Sequence, residues 1–270
     1  MVTNRLYDIF FNVKSPHIAV INLNLYCNLI MKFKHILIIS FAILVISFWN
    51  RNELPDKKDM DPQLAVEPIQ QMIQLPEFSV NVDGNDYFIQ PKYDYELYGM
   101  VVSYRVHNSD TGAHLRWGDH LNVADYCVVW SENAFEAHLN EMTFRNQEWT
   151  CYYQYPNREV GSSFNKEKLS NNHLITGDSS IRDRIKKIGI GDQIRIKGWL
   201  SSYSSTDRLS RGTSITRSDT GNGACETIYV NEIDIIRIHN SNWRILMYVS
   251  LLIFLATLVK YFYSPFKLNE

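Results

Sequence analysis

Two uninterrupted apolar runs stand out from a chain that otherwise mixes polar and apolar residues. The first is ILIISFAILVISFW, residues 36–49, preceded by Lys32, Lys34 and His35 and closed by Asn50 and Arg51. The second, ILMYVSLLIFLATLV at 245–259, lies between Arg244 and Lys260 and is flanked by Trp243, Tyr261, Phe262 and Tyr263. A basic approach to an apolar run without a small-x-small cleavage site predicts an uncleaved signal-anchor. Aromatic flanks predict a second helix that ends at the membrane interface. Each run falls short of the roughly 20 residues that cross a bilayer comfortably; snorkelling Lys and Arg and the interfacial aromatics make up the length. The expected organisation is an upstream extension over 1–30, a signal-anchor at 31–50, a tether over 51–76, a β domain over 77–240, a transmembrane helix at 243–263 and a tail at 264–270. Met31 opens MKFKHILIIS as a signal-anchor begins, so the native start is expected there.

Between the apolar runs the pattern shortens to a period of two. FSVNV, the turn DGND at 83–86 and YFIQP predict a hairpin, because Asp-Gly tolerates the positive φ of a tight turn. LYGMVVSYRV (97–106), VADYCVVW (123–130) and EWTCYYQY (148–155) read as strands rich in Val and Tyr. Ser131 is expected to cap a helix over 132–142 in which Phe135, His138 and Met142 share a face. Ser180 is expected to cap another, with Ile181, Ile185 and Ile188 at i, i+4, i+7 and Gly189 and Gly191 as its stop. The strand that follows points Ile194, Ile196, Gly198 and Leu200 one way, and Arg195, Lys197 and Trp199 the other. A GD turn feeding an IxIxGxL strand recurs at the corners of small β-barrels. Residues 213–217 and 224–230 then predict a hairpin, and NEIDIIRI (231–238) a last strand. The fold class is mainly β (α+β), an OB-like small β-barrel or sandwich between two transmembrane helices.

Composition sharpens this picture. Hydrophobic residues at 45% exclude a disordered chain. The net charge of −2 conceals a domain that carries 20 Lys and Arg against 27 Asp and Glu over 51–241, with one basic segment, 182–217, of nine basic and three acidic residues. That balance argues against a general nucleic-acid binder. It leaves Arg182, Lys186, Arg195 and Lys197 as candidate contacts for an anionic lipid or polymer. None of the cysteines forms a CxxC pair, which removes thioredoxin-like and metal-cluster spacings. If the domain is exported, a disulfide is expected among Cys127, Cys151 and Cys225.

Candidate chemistry is sparse. Asp219-Thr220-Gly221 is the triplet that aspartic proteases place at a catalytic carboxylate, but polar residues precede it and it occurs once, whereas that chemistry needs two carboxylates sharing a proton. With Asn222-Gly223 behind it, the triplet reads as a hairpin turn. His114 and His120 flank Asp119 in a loop whose spacing enforces no metal geometry, and no metal or cofactor is expected. Ser179 and Ser180 precede lysines as in a serine–lysine dyad, without the sequence context of such a nucleophile. Asn171, Asn172 and His173 form a polar corner ahead of Leu174 and Ile175, and His173 with Cys225 or Asp219 could supply a nucleophile and its base.

The blocks DYCVVW, SNNHLI, GDQIRIKGWL and RSDTGNGACETIYV resemble those of a family of uncharacterised bacterial envelope proteins, over roughly residues 95–235. The resemblance implies that Asn172, His173, Arg217, Asp219 and Glu226 belong to the family's pattern and mark a ligand or partner site. It also implies a proline soon after the HLI block, where Thr176 and Gly177 stand. The expectation is a two-pass protein of the bacterial inner membrane with a periplasmic domain that binds an envelope protein partner. A hydrolase or thiol enzyme using His173 with Cys225 or Asp219 is one alternative, and an anionic lipid or polymer binder the other.

Overall fold

The computed structural model describes residues 16–109, 111–147, 149–206, 209–216 and 225–263, with the backbone alone for 16–32 and 113. In chain order the elements are α1 (Pro16–Asn50), β1 (Ile69–Met72), β2 (Phe78–Val82), β3 (Asn85–Val106), α2 (Gly112–Trp117), β4 (Asn122–Val129), β5 (Thr143–Gln147) and β6 (Thr150–Gln154). They continue with α3 (Arg158–Ser163), β7 (Leu169–Ile175), α4 (Ser179–Ile185), β8 (Gln193–Ser205), β9 (Ser210–Arg211), β10 (Glu226–Arg237) and α5 (Asn242–Tyr263). The chain divides into two compact units, Asn52–Asn240 and the terminal segments on either side of it.

The terminal unit holds α1 and α5, packed together with the rings of Phe41 and Phe254 5.7 Å apart. Among the described residues two stretches are long and apolar enough to span a membrane: Phe33–Asn50 of α1, 18 residues, and all 22 residues of α5. At 1.5 Å per residue α5 is about 33 Å long, against a hydrocarbon core of about 30 Å. Ile38, Trp49, Leu252 and Phe262 are exposed, as lipid-facing side chains are. The hydroxyls in these helices bond back to their own turns, Ser47 to the Ile43 carbonyl at 2.7 Å and Thr257 to that of Ile253 at 2.7 Å. That is how a hydroxyl is satisfied where water is absent.

The other unit is mostly β and mixed in strand direction. Its main sheet has eight strands, in the order β1-β3-β4-β7-β10-β8-β9 with β2 on β3. β8 also pairs with β3 from Tyr87↔Ser205 to Met100↔Gln193, so the path β3-β4-β7-β10-β8 returns to its first strand. β7 and β10 run parallel, with α4 and β8 on the crossover between them; the other pairs are antiparallel. β3 serves so many partners because it is 22 residues long and shifts register at Pro91/Tyr93 and Val101/Ser103. Such bulges bend a strand without ending it. The turn before it has Asp83 at φ 51° and Gly84 at φ 80°, the Asp-Gly geometry expected of the hairpin.

Alternation fills the interior. Leu97, Tyr126, Leu174, Ile194, Ile196 and Ile228 meet in one apolar cluster, joined by Ile185 at the end of α4 and Ile188 just beyond it. β8 alternates as its sequence predicts, with Ile194, Ile196 and Leu200 buried and Arg195, Lys197 and Trp199 half-buried. Gly198 is there for close approach: a Cβ at this position would stand 2.0 Å from the Tyr229 carbonyl oxygen on β10.

Several local expectations change. Residues 51–76, read as a tether, pack onto the domain, with Leu54 and Leu64 buried and β1 paired to β3. The helix expected over 132–142 is two 3-10 turns, Ser131–Phe135 and Leu139–Glu141, and Ser131 caps nothing. Asn133 decides this, because its amide donates to the Asn165 carbonyl at 2.6 Å and ties the turn to a distant loop. α4 is capped by Asp178 rather than Ser180: the carboxylate accepts from the amides of Ser180 and Ile181. The segments 224–230 and 231–238 join as one strand, β10, with a register shift between Val230 and Glu232. The turn at 219–223, with Arg217 and Asp219, lies outside the described residues.

Candidate functional site

All eight residues of β4 are buried, so any polar side chain on it must find its partners inside the protein. Asp125 is the test case. Its cross-strand partner on β7 is His173, and His173 Nδ1 lies 2.6 Å from Asp125 Oδ1. The same oxygen accepts from the Asn122 amide at 3.2 Å and stands 3.0 Å from His107 Nε2. Asp125 Oδ2 has no hydrogen-bond partner among the described residues.

The Cys225 thiol lies close enough to this pair to help raise the His173 imidazole. Cys225 is half-buried and the free cysteine among the described side chains. Its sulphur is 3.4 Å from the Asn171 amide nitrogen and 3.4 Å from the Trp149 carbonyl. Asn171 is oriented in turn by the Asn146 amide, 2.9 Å from its Oδ1. The segment 212–214 is stitched to the start of β10, since the Ser214 amide donates to the Cys225 carbonyl at 2.9 Å and the Thr227 hydroxyl to that of Gly212 at 2.8 Å. The result is a row of thiol, imidazole and carboxylate from three elements.

A second carboxylate extends the row. The His114 ring, placed by α2, packs on that of His107 with centroids 3.8 Å apart. His114 Nδ1 lies 3.5 Å from Asp119 Oδ2, and Gly118, at φ 62°, turns the chain between them. Asp119 also accepts from the Tyr203 hydroxyl at 2.9 Å and the Asn122 backbone at 3.3 Å, with Arg211 Nε at 3.6 Å. The Arg211 guanidinium lies 4.0 Å over the Trp149 ring. Trp149 itself has φ 63°, a left-handed conformation that is rare for a bulky residue and that clusters at functional sites.

These contacts set the charges. Burial pulls His173 down, but the charge and hydrogen bond of Asp125, together with Cys225, outweigh it and raise the imidazole to about 10. Burial likewise opposes ionisation of Asp125, and the two histidines reverse that and hold it well below the ordinary carboxylate range. Asp119 is lowered, against burial, by His114, Arg211 and Tyr203. At neutral pH the core of the site is an imidazolium on a carboxylate, beside Cys225.

The residues singled out in the sequence scatter more than expected. His173 and Cys225 meet. Asn172, next along β7, points its amide at the Tyr126 carbonyl at 3.2 Å and the Ser170 hydroxyl at 2.8 Å. Glu226 is buried opposite Asn172. Arg217 and Asp219 fall outside the described residues. Of the basic candidates, Arg195 is held by Glu96 at 2.6 Å, Glu232 at 3.0 Å and Asp234 at 3.1 Å. Arg182 donates to the Thr176 carbonyl at 3.2 Å, while Lys186 is exposed at the end of α4 and Lys197 half-buried. Cys127 and Cys151 form a disulfide with Cα atoms 5.7 Å apart. His120 turns toward Asp83, at 3.7 Å, away from His114. Among the described residues no three His, Cys, Asp or Glu side chains converge on a metal position.

Asp125, His107, Arg211 and Trp149 were not foreseen. One signal for Asp125 was present, a lone charge inside the apolar run VADYCVV. No family model, curated protein or solved structure matches the chain.

Proposed function

We propose that the domain is a thiol enzyme of the acyl-transfer class, with Cys225 as nucleophile, His173 as its acid–base partner and Asp125 as the group that orients the imidazole. The observation that carries this is the buried 2.6 Å contact between His173 Nδ1 and Asp125 Oδ1, with the Cys225 sulphur 3.4 Å from the amide of Asn171 two residues earlier on the same strand. A cation beside the sulphur favours the nucleophilic form of a thiol, and a carboxylate behind the imidazole fixes its tautomer and charge. In the proposed cycle Cys225 reacts as a thiolate paired with the His173 imidazolium, its proton having passed to solvent, and the sulphur attacks an acyl carbon as the carbonyl electrons move to oxygen. The Asn171 amide, 3.4 Å from the sulphur, is a donor for that oxyanion. Collapse expels the leaving group, which takes its proton from His173. Water then attacks the thioester, giving a proton back to His173, and the C–S bond breaks to release the acid and the Cys225 thiolate.

This reading takes precedence over a partner-binding module, which gives no reason to bury a charged pair against a thiol. The anion-binding reading loses Arg195 to its three carboxylates. We further read the strand circuit β3-β4-β7-β10-β8, with α4 between β7 and β8, as an OB-like barrel. We also propose a location in the bacterial inner membrane with this domain on the periplasmic side; the Cys127–Cys151 disulfide, a bond typical of oxidising compartments, supports that reading.

The test uses full-length protein in detergent micelles and p-nitrophenyl acetate as a generic acyl donor. Mass spectrometry should find an acetyl group on Cys225, formed with a burst of nitrophenolate. His173→Gln should slow that acetylation by about 100-fold or more, and Cys225→Ala should abolish it. If Cys225 acetylates no faster than a small free thiol and His173→Gln changes nothing, the reading is wrong.

A further inference from the structure

We infer that Arg211 is a substrate-recognition residue, and that the acyl substrate carries a carboxylate close to the bond that is cleaved. The inference rests on the thiol-enzyme reading and adds the substrate's chemical class.

Trp149 ties Arg211 to the nucleophile. Its carbonyl lies 3.4 Å from the Cys225 sulphur, while its ring carries the Arg211 guanidinium at 4.0 Å. Arg211 and the reacting sulphur thus both contact the same residue, one at its ring and the other at its carbonyl. Among the described residues its buried Nε has no hydrogen-bond partner. Asp119, 3.6 Å from Nε, balances the charge, but its oxygens are engaged by the Tyr203 hydroxyl and the Asn122 amide. Arg211 retains 18% of its side-chain surface accessible, so the planar group is held rigid and partly dry without being sealed. A stacked guanidinium with parallel donors matches a carboxylate in two places at once. A purely structural arginine would instead spend those donors on nearby carbonyls and carboxylates, as Arg195 does.

The probe is a matched pair of alkylating agents, iodoacetate and iodoacetamide, applied to the full-length protein in micelles. Both react alike: the Cys225 sulphur forms a bond to the methylene carbon and iodide leaves. Only iodoacetate carries a carboxylate beside that carbon. With rates on the Cys225 peptide normalised to those of N-acetylcysteine, iodoacetate should be favoured about tenfold or more. Its rate should saturate, and succinate should protect the thiol. Arg211→Gln should erase the preference, and Arg211→Lys should restore part of it. A normalised ratio near one that Arg211→Gln leaves unchanged overturns the inference while the thiol-enzyme reading stands. If the variant does not fold, the native protein decides, because a linear rate without protection by succinate also overturns it. A Cys225 that reacts with both reagents no faster than N-acetylcysteine, with or without His173, overturns both ideas together.

Discussion

Strands β4 and β7 bury two unlike surfaces. Ala124, Tyr126, Val128 and Leu174 enter an apolar cluster with Leu97 and Ile196. One residue along, the same strands bury Asp125, Asn171 and His173. The first surface follows from alternation and removes apolar area from water, at roughly 25 cal/mol per Å². The second gains nothing from that source. Taking a carboxylate and an imidazolium out of water costs several kcal/mol per ion, and their attraction repays this only when the geometry is very good. An apolar pair would serve stability as well or better. The apolar cluster therefore accounts for the fold, and the polar row requires a reason outside stability, which a nucleophile and its base provide.

The largest effect should come from breaking the row from within. Asp125→Ala leaves the imidazolium of His173 buried without its partner, and should lower stability by about 3–5 kcal/mol. Leu97→Ala, in the apolar cluster, should lower it by about 2–5 kcal/mol. The two variants differ in chemistry rather than in cost. Folded Leu97→Ala protein should acetylate Cys225 at the native rate, and folded Asp125→Ala protein should not. Urea titrations give the stabilities, and single-turnover acetylation gives the rates. Equal loss of acetylation in both variants would dissolve the distinction between the two surfaces.

A comparable effect, at most on the order of 5 kcal/mol, should appear with pH. His173 is raised from 6.5 to about 10 in the folded protein. The folded state binds the proton more tightly, so the stability due to His173 is complete below pH 6.5 and declines as pH rises through about 10. The slope of unfolding free energy against pH should thus be negative over that window, and His173→Gln should flatten it. Asp125, lowered in the folded state, acts at the other end, and its contribution fades as pH falls below its ordinary value of 3.8. A native protein whose urea midpoint stays constant from pH 7 to 10 would place the proton elsewhere. The apolar cluster has no such dependence, which sharpens the contrast.

Much of the apolar surface is legible in the chain, and little of the polar row. Ile194, Ile196 and Leu200 announce themselves by a period of two, and the Asp83-Gly84 turn by its chemistry, because both signals are local. The two long apolar helices are legible for the same reason. β10 is not, since Asn231 and Glu232 interrupt its apolar run and only the register shift beside Val230 carries the strand across them. The 132–142 segment has helical spacing, yet Asn133 is claimed by a loop more than thirty positions away. The polar row fails for the same cause. Asp125 and His173 are 48 positions apart, and nothing in either neighbourhood names the other. Cys225 and His173 are each noticeable in the sequence, but the carboxylate that makes chemistry of them becomes visible only once β4 lies beside β7.

The smallest effect concerns Trp149, where the two kinds of surface give opposite expectations. At a purely structural position, replacing a non-glycine residue of positive φ by glycine relieves roughly 1 kcal/mol of backbone strain. Trp149 sits at φ 63° in the turn between β5 and β6, so Trp149→Gly should gain that much. It should lose a similar amount with the guanidinium stack over the ring, since cation–π contacts at partly exposed sites are worth about 0.5–1 kcal/mol. Stability should then move by less than about 1 kcal/mol in either direction. Reactivity should not be so forgiving, because the variant keeps the carbonyl that faces Cys225 while releasing Arg211 from its platform. Acetylation by the neutral ester should stay near the native rate as the preference for iodoacetate falls. A protein of unchanged stability with an altered choice of reagent would mean that this strained residue is retained for recognition. A variant that loses stability by several kcal/mol would return Trp149 to the structural side of the molecule.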